Sequence, residues 1–152
     1  MKVCIGSDHA GYALKEMAKK WLLDWGYEVD DVGAFSEASV DYPDFARKVA
    51  TAVARGEYAR GVLICGTGIG MSIAANKVRG VRAALCHDVF SAKATRQHND
   101  SNVLTMGSRV IGAGVAQEVL RAWLSEEYEG GRHAPRLKKI TALEDDMLTT
   151  KC

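Results

Sequence analysis

Cys65 has the clearest chemical potential in the chain, because it ends an apolar run and directly precedes three alternating glycines. The stretch reads VLICGTGIGMSIAANK, which predicts a buried strand, a tight loop and the start of a helix. The glycines let the loop turn several N–H groups toward one point, and the helix N-terminus adds further unpaired N–H groups. Such a loop can hold an oxyanion and stabilise a thiolate. The alternative is that Cys65 is only a small core residue.

The glycine spacing alone does not identify a nucleotide site. The loop after Cys65 is GxGxG, which is neither the GxGxxG fingerprint of dinucleotide-binding folds nor a Walker loop. The first loop, GSDHAG, also lacks the GxGxxG spacing. A nucleotide-binding Rossmann oxidoreductase is therefore disfavoured.

Several basic side chains could hold a phosphate or move a proton. Arg132 and Arg136 lie one helical turn apart and could grip one phosphate, although such pairs are usually a solvated helix face. His98 could protonate a sugar ring oxygen, or could simply interact with the C-terminus of its helix. His9, beside Asp8, is a phosphate donor or a turn residue. The remaining histidines, at positions 87 and 133, have the weakest case for chemistry.

Composition favours one domain, spanning 1–152, that acts on a small molecule. Twenty basic and nineteen acidic residues give a net charge of +1, which does not argue for a nucleic acid or membrane partner. The start lacks a signal-peptide core and no apolar run approaches membrane-spanning length, so we expect a cytoplasmic protein. The four cysteines have no CxxC spacing, and free thiols fit better than a zinc site or disulfides.

The chain alternates between strand and helix patterns, which predicts a parallel α/β sheet. The predicted strands are 2–7, 28–32, 60–65, 81–86 and 102–106. The predicted helices are one ending at Gly26, then 44–55, 71–76, 89–97, 113–125 and a last one over about 133–148. The carboxyl ends of parallel strands share one edge, so we expect Asp8, Cys65 and Arg109 to emerge together there.

Two helices carry apolar stripes. The first has Leu14, Met17, Ala18, Trp21, Leu22 and Trp25 at the spacing of one buried face. The last has Leu137, Ile140, Leu143 and Met147 on one side. A late helix of this kind packs either on a partner subunit or back on its own sheet, and the sequence leaves both open.

Six motifs in register resemble the family of ribose-5-phosphate isomerase type B, which also contains galactose-6-phosphate isomerase subunits. The resemblance runs from about Val3 to Leu143. The motifs are SDHAGY, DYPDFA, ICGTGIGMSIAANK, RQHNDSNVL, GSR and GGRHAPR. It implies a three-layer αβα, Rossmann-like sandwich with a five-stranded parallel sheet and a C-terminal helix. Residues 143–152 have no clear family counterpart, and we expect a disordered tail there.

The resemblance also implies a role for each site residue. Cys65 matches the base that moves a proton between C2 and C1 of an open-chain sugar phosphate; relatives with a glutamate base carry it at the position of Met71. Thr67 matches a hydroxyl contact to the reacting oxygen, and His98 the acid that opens the sugar ring, with Asp8 assisting. The other implied contacts are backbone N–H groups of Gly66, Gly68, Ile69 and Gly70 for the oxyanion, Tyr42 and Asn99 for the sugar, and His9, Arg109, Arg132 and Arg136 for the phosphate.

The function that we expect is the interconversion of ribose 5-phosphate and ribulose 5-phosphate through a cis-enediol, without a metal or another cofactor. The resemblance implies a homodimer whose sites take residues from both subunits, with a tetramer as a further option. Two other functions stay open. One is isomerisation of a six-carbon aldose phosphate such as allose or galactose 6-phosphate, because a one-carbon difference in length is discriminated weakly. The other is a non-catalytic sugar-phosphate sensor, which would need neither Cys65 nor His98.

Overall fold

The computed structural model describes residues 1–149, with side chains through Asp146. The strands are β1 Lys2–Ser7, β2 Glu28–Asp31, β3 Arg60–Cys65, β4 Ala83–Leu85 and β5 Val103–Gly107. The helices are α1 Tyr12–Asp24, α2 Tyr42–Ala54, α3 Ile69–Ala75, α4 Val89–Asn99, α5 Ala113–Ser125 and α6 Ala134–Thr149, with a 3-10 turn at Gly131–His133 before α6.

The five strands form one all-parallel sheet in the order β2-β1-β3-β5-β4. Apolar residues of α1, α4 and α5 pack on one face of the sheet, and those of α2 and α3 pack on the other. The three-layer α/β sandwich predicted from the family resemblance is therefore confirmed. Both faces of β3 are covered, which is why its sequence is a continuous apolar run rather than an alternating one.

Several predicted boundaries shift, each for a local reason. Strand β4 is shorter than the predicted 81–86, because it pairs only with β5 at the edge of the sheet and the Val81 N–H donates to the Val78 carbonyl in a turn. Helix α3 begins at Ile69, two residues before the predicted start. The residue before it, Gly68, has φ +74°, a conformation that glycine adopts without strain.

The predicted buried face of α1 is only partly correct. Leu14, Ala18 and Leu22 are buried, and the two tryptophans pack partly buried against the same core. Met17 is 40% exposed. The stripe of α1 that packs on the sheet is thus narrower than its spacing suggested, because Met17 lies outside it.

The carboxyl ends of β1 and β3 form the natural crevice of this sheet. These strands are neighbours, yet the helices that follow them, α1 and α3, leave toward opposite faces. In open α/β sheets such a reversal leaves a gap at the strand ends in which ligands bind. The loops after Ser7 and Cys65 border this gap.

Helix α6 stands apart from the two helical layers. Arg79 pairs with Asp145, and the Gly80 N–H donates to the Glu144 carboxylate. The apolar stripe of α6 stays accessible. Leu143 is 65% exposed, and Ile140 lines a groove of about 650 Å³ beside β4. The helix includes residues 143–149 of the segment for which the sequence predicts a tail. The Met147 side chain and residues 150–152 lie outside the described part of the chain.

None of the helices within residues 1–149 is long and apolar enough to cross a membrane.

A buried ion cluster ties α1 to β2. Lys15 is completely buried, and its Nζ lies 2.5 Å from Asp31 Oδ2, which also accepts a hydrogen bond from Lys19. The other oxygen of Asp31 accepts from the Gly33 N–H. Burial by itself would raise the pKa of Asp31, but the bonds from Lys15, the Gly33 N–H and Lys19 outweigh it and lower that pKa. The cluster therefore stabilises the fold above the unfolded pKa of the carboxyl, and loses that stabilisation as the pH falls through its folded value.

We expect Asp31→Asn to lower the free energy of unfolding at pH 7 by about 3 kcal/mol. The completely buried Lys15 ammonium would then keep only the partly exposed Glu16 as a carboxylate partner. Urea unfolding followed by circular dichroism measures this loss. Asp30→Asn is the matched control, since Asp30 pairs with Lys2 at the surface and its loss is expected to be much smaller. Equal losses in the two variants would contradict a special role for the buried cluster.

Candidate active site

The Cys65 side chain lies under the glycine loop that follows β3. Cys65 is 5% exposed, and its Sγ accepts a hydrogen bond from the Gly68 N–H at 3.1 Å. The positive φ of Gly68 turns this N–H back toward the end of the strand. The Gly68 N–H is thus a fixed hydrogen-bond donor beside the sulfur of Cys65.

The loop makes close contacts with two side chains. A Cβ on Gly70 would lie 2.7 Å from the Tyr42 ring, and one on Gly66 would lie 3.3 Å from the Arg109 guanidinium. The Tyr42 and Arg109 side chains therefore flank the loop on its two sides. Between them the exposed Thr67 accepts a hydrogen bond from the Ile69 N–H through Oγ1. These residues form a rim with Cys65 at its floor.

The loop after β1 completes this rim. The Asp8 N–H donates to the Ile64 carbonyl, and the buried Asp8 carboxylate accepts a hydrogen bond from the Gly11 N–H at 2.9 Å. The Val40 N–H lies 3.2 Å from His9 Nδ1. The Val40 carbonyl oxygen lies 3.3 Å from the same nitrogen. In the tautomer in which Nδ1 accepts from the Val40 N–H, Nε2 carries the proton and can donate to an anion. The expectation that Asp8, Cys65 and Arg109 share one edge of the sheet is confirmed.

His87 is a rim residue that sequence reasoning passed over. Its Nε2 accepts a hydrogen bond from the Gly107 N–H at 3.0 Å. The turn after Gly107 is tied directly to the cysteine loop, because the Ser108 N–H donates to the Cys65 carbonyl and the Arg109 N–H to the Gly66 carbonyl. Burial lowers the pKa of His87, which keeps the ring neutral and able to accept. Its only sequence signal is its place just after β4.

The other predicted residues lie at the opposite edge of the sheet. His98 and Asn99 end α4, and the Asn99 carbonyl accepts a hydrogen bond from Arg82, which immediately precedes β4. The nearby Asn102 carbonyl accepts from the Gly61 N–H at the start of β3. Because α4 runs antiparallel to the strands, its last residues are separated from Cys65 by the length of β3, about 16 Å.

The segment GGRHAPR, which contains Arg132 and Arg136, lies at the same edge of the sheet as His98 and Asn99. The Glu129 N–H donates to the Gln97 carbonyl, and the His133 ring stacks on the His98 ring with centroids 4.4 Å apart. Arg132 and Arg136 flank His133 in sequence. Burial, and then the charges of His98 and both arginines, lower the pKa of His133. His98, Asn99, Arg132 and Arg136 thus belong to one edge.

The structure therefore divides the predicted site into two groups within one chain. The carboxyl-edge group contains Asp8, His9, Tyr42, Arg109 and the loop from Cys65 to Gly70. The amino-edge group contains His98, Asn99, Arg132 and Arg136. Asp8 cannot assist His98 of its own chain, since the two residues lie at opposite edges.

Cys65 differs from the other described cysteines. Burial raises the pKa of the Cys4 and Cys86 thiols to about 12, so both stay protonated and inert near neutral pH. Neither has a loop N–H directed at its sulfur among the hydrogen bonds of the described residues. Cys152 lies outside that part of the chain.

Comparison with known proteins gives a consistent assignment. The family described as Ribose/Galactose Isomerase matches residues 3–140. A putative sugar phosphate isomerase, YwlF of Bacillus subtilis, is 54% identical over 97% of this chain and 100% of its own. Ribose-5-phosphate isomerase B of Escherichia coli is 51% identical over 94% and 96%. The solved structure of Clostridium thermocellum ribose-5-phosphate isomerase B is 52% identical, covers 97% of this chain and 99% of its own, and superposes with a TM-score of 0.96.

We expect Gly68→Ala to disrupt the cysteine loop. Its Cβ would lie 2.5 Å from Leu85 Cδ1 and 2.8 Å from the Met106 backbone, at a φ of +74°, which should cost about 1–3 kcal/mol of stability. Thermal unfolding measures that loss, and alkylation of Cys65 by iodoacetamide measures its reactivity, which we expect to fall. Gly114→Ala is the control, because nothing lies within 4 Å of its Cβ. A Gly68→Ala protein as reactive and stable as this control would show that the loop conformation is not required.

Proposed function

The chain belongs to the ribose/galactose isomerase family, and from that membership we propose that it interconverts ribose 5-phosphate and ribulose 5-phosphate. The observation that carries this proposal is the Cys65 sulfur beneath the Gly68 N–H, at the crevice between β1 and β3. Names of relatives supply the substrate class. We place the reaction in the cytoplasm, where a free Cys65 thiol persists.

Cys65 acts as the base in the proposed reaction. Its thiolate removes the proton from C2 of the open-chain aldose, and the C–H electrons form a C1=C2 double bond while the C1 carbonyl oxygen becomes an oxyanion. The proton on the C2 hydroxyl passes to that oxygen, and the thiol returns its proton to C1, which leaves a ketone at C2. The buried Met71 offers no carboxylate as an alternative base.

The glycine loop stabilises the oxyanion of the cis-enediol intermediate. The proposed donors are the backbone N–H groups of Gly66, Gly68, Ile69 and Gly70 and the Thr67 hydroxyl. In the structure the Gly68 N–H donates to Cys65 Sγ and the Ile69 N–H donates to Thr67 Oγ1. Donors that are already fixed in place cost no reorganisation when the charge develops. The contacts of Tyr42 with Gly70 and of Arg109 with Gly66 keep the loop in this conformation.

Ring opening and part of the phosphate binding require a second copy of the chain. His98 is the proposed acid for ring opening, yet it lies about 16 Å from the level of Cys65, at the other sheet edge. A symmetric dimer places the amino-edge group of one subunit over the carboxyl-edge group of the other, twice. Asn99 then contacts the sugar, and Arg132 and Arg136 meet a phosphate that His9 and Arg109 bind from the first subunit.

Apolar surface beside the cysteine loop supports this dimer. Ile69, Leu85 and Val89 are exposed near the loop, and Phe90 is 80% exposed. Strand β4 is a sheet edge whose flank borders the groove lined by α6. Clusters of large exposed apolar side chains are typical of protein interfaces. We propose a homodimer as the active unit.

A six-carbon aldose phosphate is the second candidate substrate. The family description includes galactose as well as ribose, and the proton transfer would be identical. The pocket has to accommodate one additional carbon between the reacting end and the phosphate. A non-catalytic sensor is less consistent with the site, because binding alone requires no N–H directed at a buried thiol.

We expect Cys65→Ala to lose about a hundredfold or more in kcat/KM with little change in substrate affinity, because the base acts in the transition state. Activity assays with ribose 5-phosphate, allose 6-phosphate and galactose 6-phosphate measure kcat/KM. Calorimetry measures how tightly the variant binds each sugar phosphate. Ribose 5-phosphate should be the best substrate. Better turnover of a hexose phosphate would change the substrate and keep the mechanism, whereas lost binding in the variant would make Cys65 structural.

Mixing two inactive variants tests the shared site. We expect Cys65→Ala and His98→Gln to be nearly inactive alone, and an equal mixture refolded together to recover about one quarter of wild-type activity. The reason is that about half of the dimers are mixed, and each mixed dimer has one site with both native residues. Each variant refolded alone at the same total concentration is the control. A mixture no more active than these controls would contradict sites built from two subunits.

A further inference from the structure

A cluster of side chains with metal-ligating atoms lies at the amino edge, away from Cys65. Side-chain donor atoms of His98, Glu129 and His133 all lie within 4.8 Å of one another. His98 lies in the last turn of α4, and the other two residues come from the loop and the 3-10 turn that precede α6. The hydrogen bond from the Glu129 N–H to the Gln97 carbonyl holds the loop against the helix end. We call these three residues the amino-edge cluster.

His133 supplies a separate indication that this cluster has a ligand. The residue is 5% exposed, and its Nε2 is buried without a hydrogen-bond partner in the described structure. The nearest carboxylate oxygen, Glu129 Oε2, is 3.8 Å away, beyond hydrogen-bond distance. A buried nitrogen without a partner costs free energy. A ligand between His133 and Glu129 would remove that cost.

We propose that the amino-edge cluster binds a divalent transition-metal ion of the Zn²⁺ type. Two imidazole nitrogens and one carboxylate oxygen suit Zn²⁺, Co²⁺, Ni²⁺ or Cu²⁺ rather than Mg²⁺ or Ca²⁺, which prefer oxygen ligands. Three protein ligands leave one tetrahedral position open for water. The ion is an inhibitor, not a cofactor, because it occupies the imidazole of His98, the proposed acid for ring opening.

Binding requires the two rings to separate. The imidazole planes of His98 and His133 are only 14° apart, and lone pairs of nearly parallel rings do not converge on one point. The ring of His98 is half-buried and the Glu129 side chain is 52% exposed, so these two move while the buried His133 stays fixed. Metal binding therefore exchanges ring stacking for coordination.

Nearby charges limit the affinity. The C-terminus of α4 carries partial negative charge and attracts a cation. Arg132 and Arg136 repel a cation at this site, and the same two charges help to lower the pKa of His133. The negative charge of Glu126 does not fully offset this repulsion, because Glu126 already contacts Lys93 and Gln97. The site should thus fill at raised metal concentration and empty when a chelator is added.

Co²⁺ is the direct probe, because its visible absorption reports coordination by nitrogen and oxygen ligands. We expect the full-length protein to give a saturable Co²⁺ spectrum that Zn²⁺ displaces. Glu129→Gln should weaken both metals about tenfold or more. Glu127→Gln, an exposed neighbour outside the cluster, is the matched control and should bind as wild type does.

Thiol coordination is the main competing explanation. Cys65→Ser keeps the amino-edge cluster, so unchanged Co²⁺ and Zn²⁺ affinity in this variant supports the proposal. Loss of metal binding in Cys65→Ser, or equal affinity in Glu129→Gln and Glu127→Gln, would overturn it. His133→Gln is avoided because that side chain is buried and the variant could fail to fold.

The inhibition rests on the proposed function and is measured separately. We expect Zn²⁺ to inhibit ribose 5-phosphate turnover reversibly, and Glu129→Gln to keep wild-type turnover while needing about tenfold more Zn²⁺. Inhibition that is equally strong in Glu129→Gln would count against the site. If the wild-type protein turns over no sugar phosphate but binds Co²⁺ in a Glu129-dependent manner, the metal site stands and the proposed function fails.

Discussion

The direction of the parallel strands is the constraint on which the arrangement of the site depends. Every strand carries its carboxyl end to one edge of the sheet, and every connecting helix returns the chain to the other edge. Cys65 ends β3 and His98 lies in the last turn of α4, so the fold separates them however well each is suited to the same reaction. A chemistry that needs both side chains must bring two chains together. The proposed dimer is thus a consequence of topology rather than an addition to a complete monomeric site.

Within the carboxyl edge, the cysteine loop depends on positions where only glycine fits. Gly68 needs a positive φ to direct its N–H at the sulfur, and Gly107 passes so close to Thr67 that a Cβ would lie 2.6 Å from its backbone. His87 fixes the Gly107 N–H from the side. These contacts hold the loop donors in place before a substrate arrives, which is the arrangement that electrostatic catalysis requires.

The amino edge has a different character. Its histidines are stacked, its arginines lie in and beside a short turn, and one buried nitrogen has no hydrogen-bond partner among the described residues. A surface that is to be completed by another subunit can carry such a group, because the partner or the ligand satisfies it on assembly. The same feature suits this edge to the proposed metal ion, so the proposed catalytic use and the proposed inhibition draw on one set of donors.

The sequence by itself determined the fold class and the carboxyl-edge group. Strand and helix patterns are local, and an apolar run followed by GTGIG specifies a strand, a turn and a helix start regardless of the rest of the chain. The family motifs named the candidate residues of both groups. Spacing could not reveal that His87 supports the Gly107 turn, that Met17 faces solvent, or that α3 starts at Ile69, since each depends on what packs nearby. Only the tertiary structure decided which candidates share an edge, because that follows from the course of the chain through the sheet and not from distance along it.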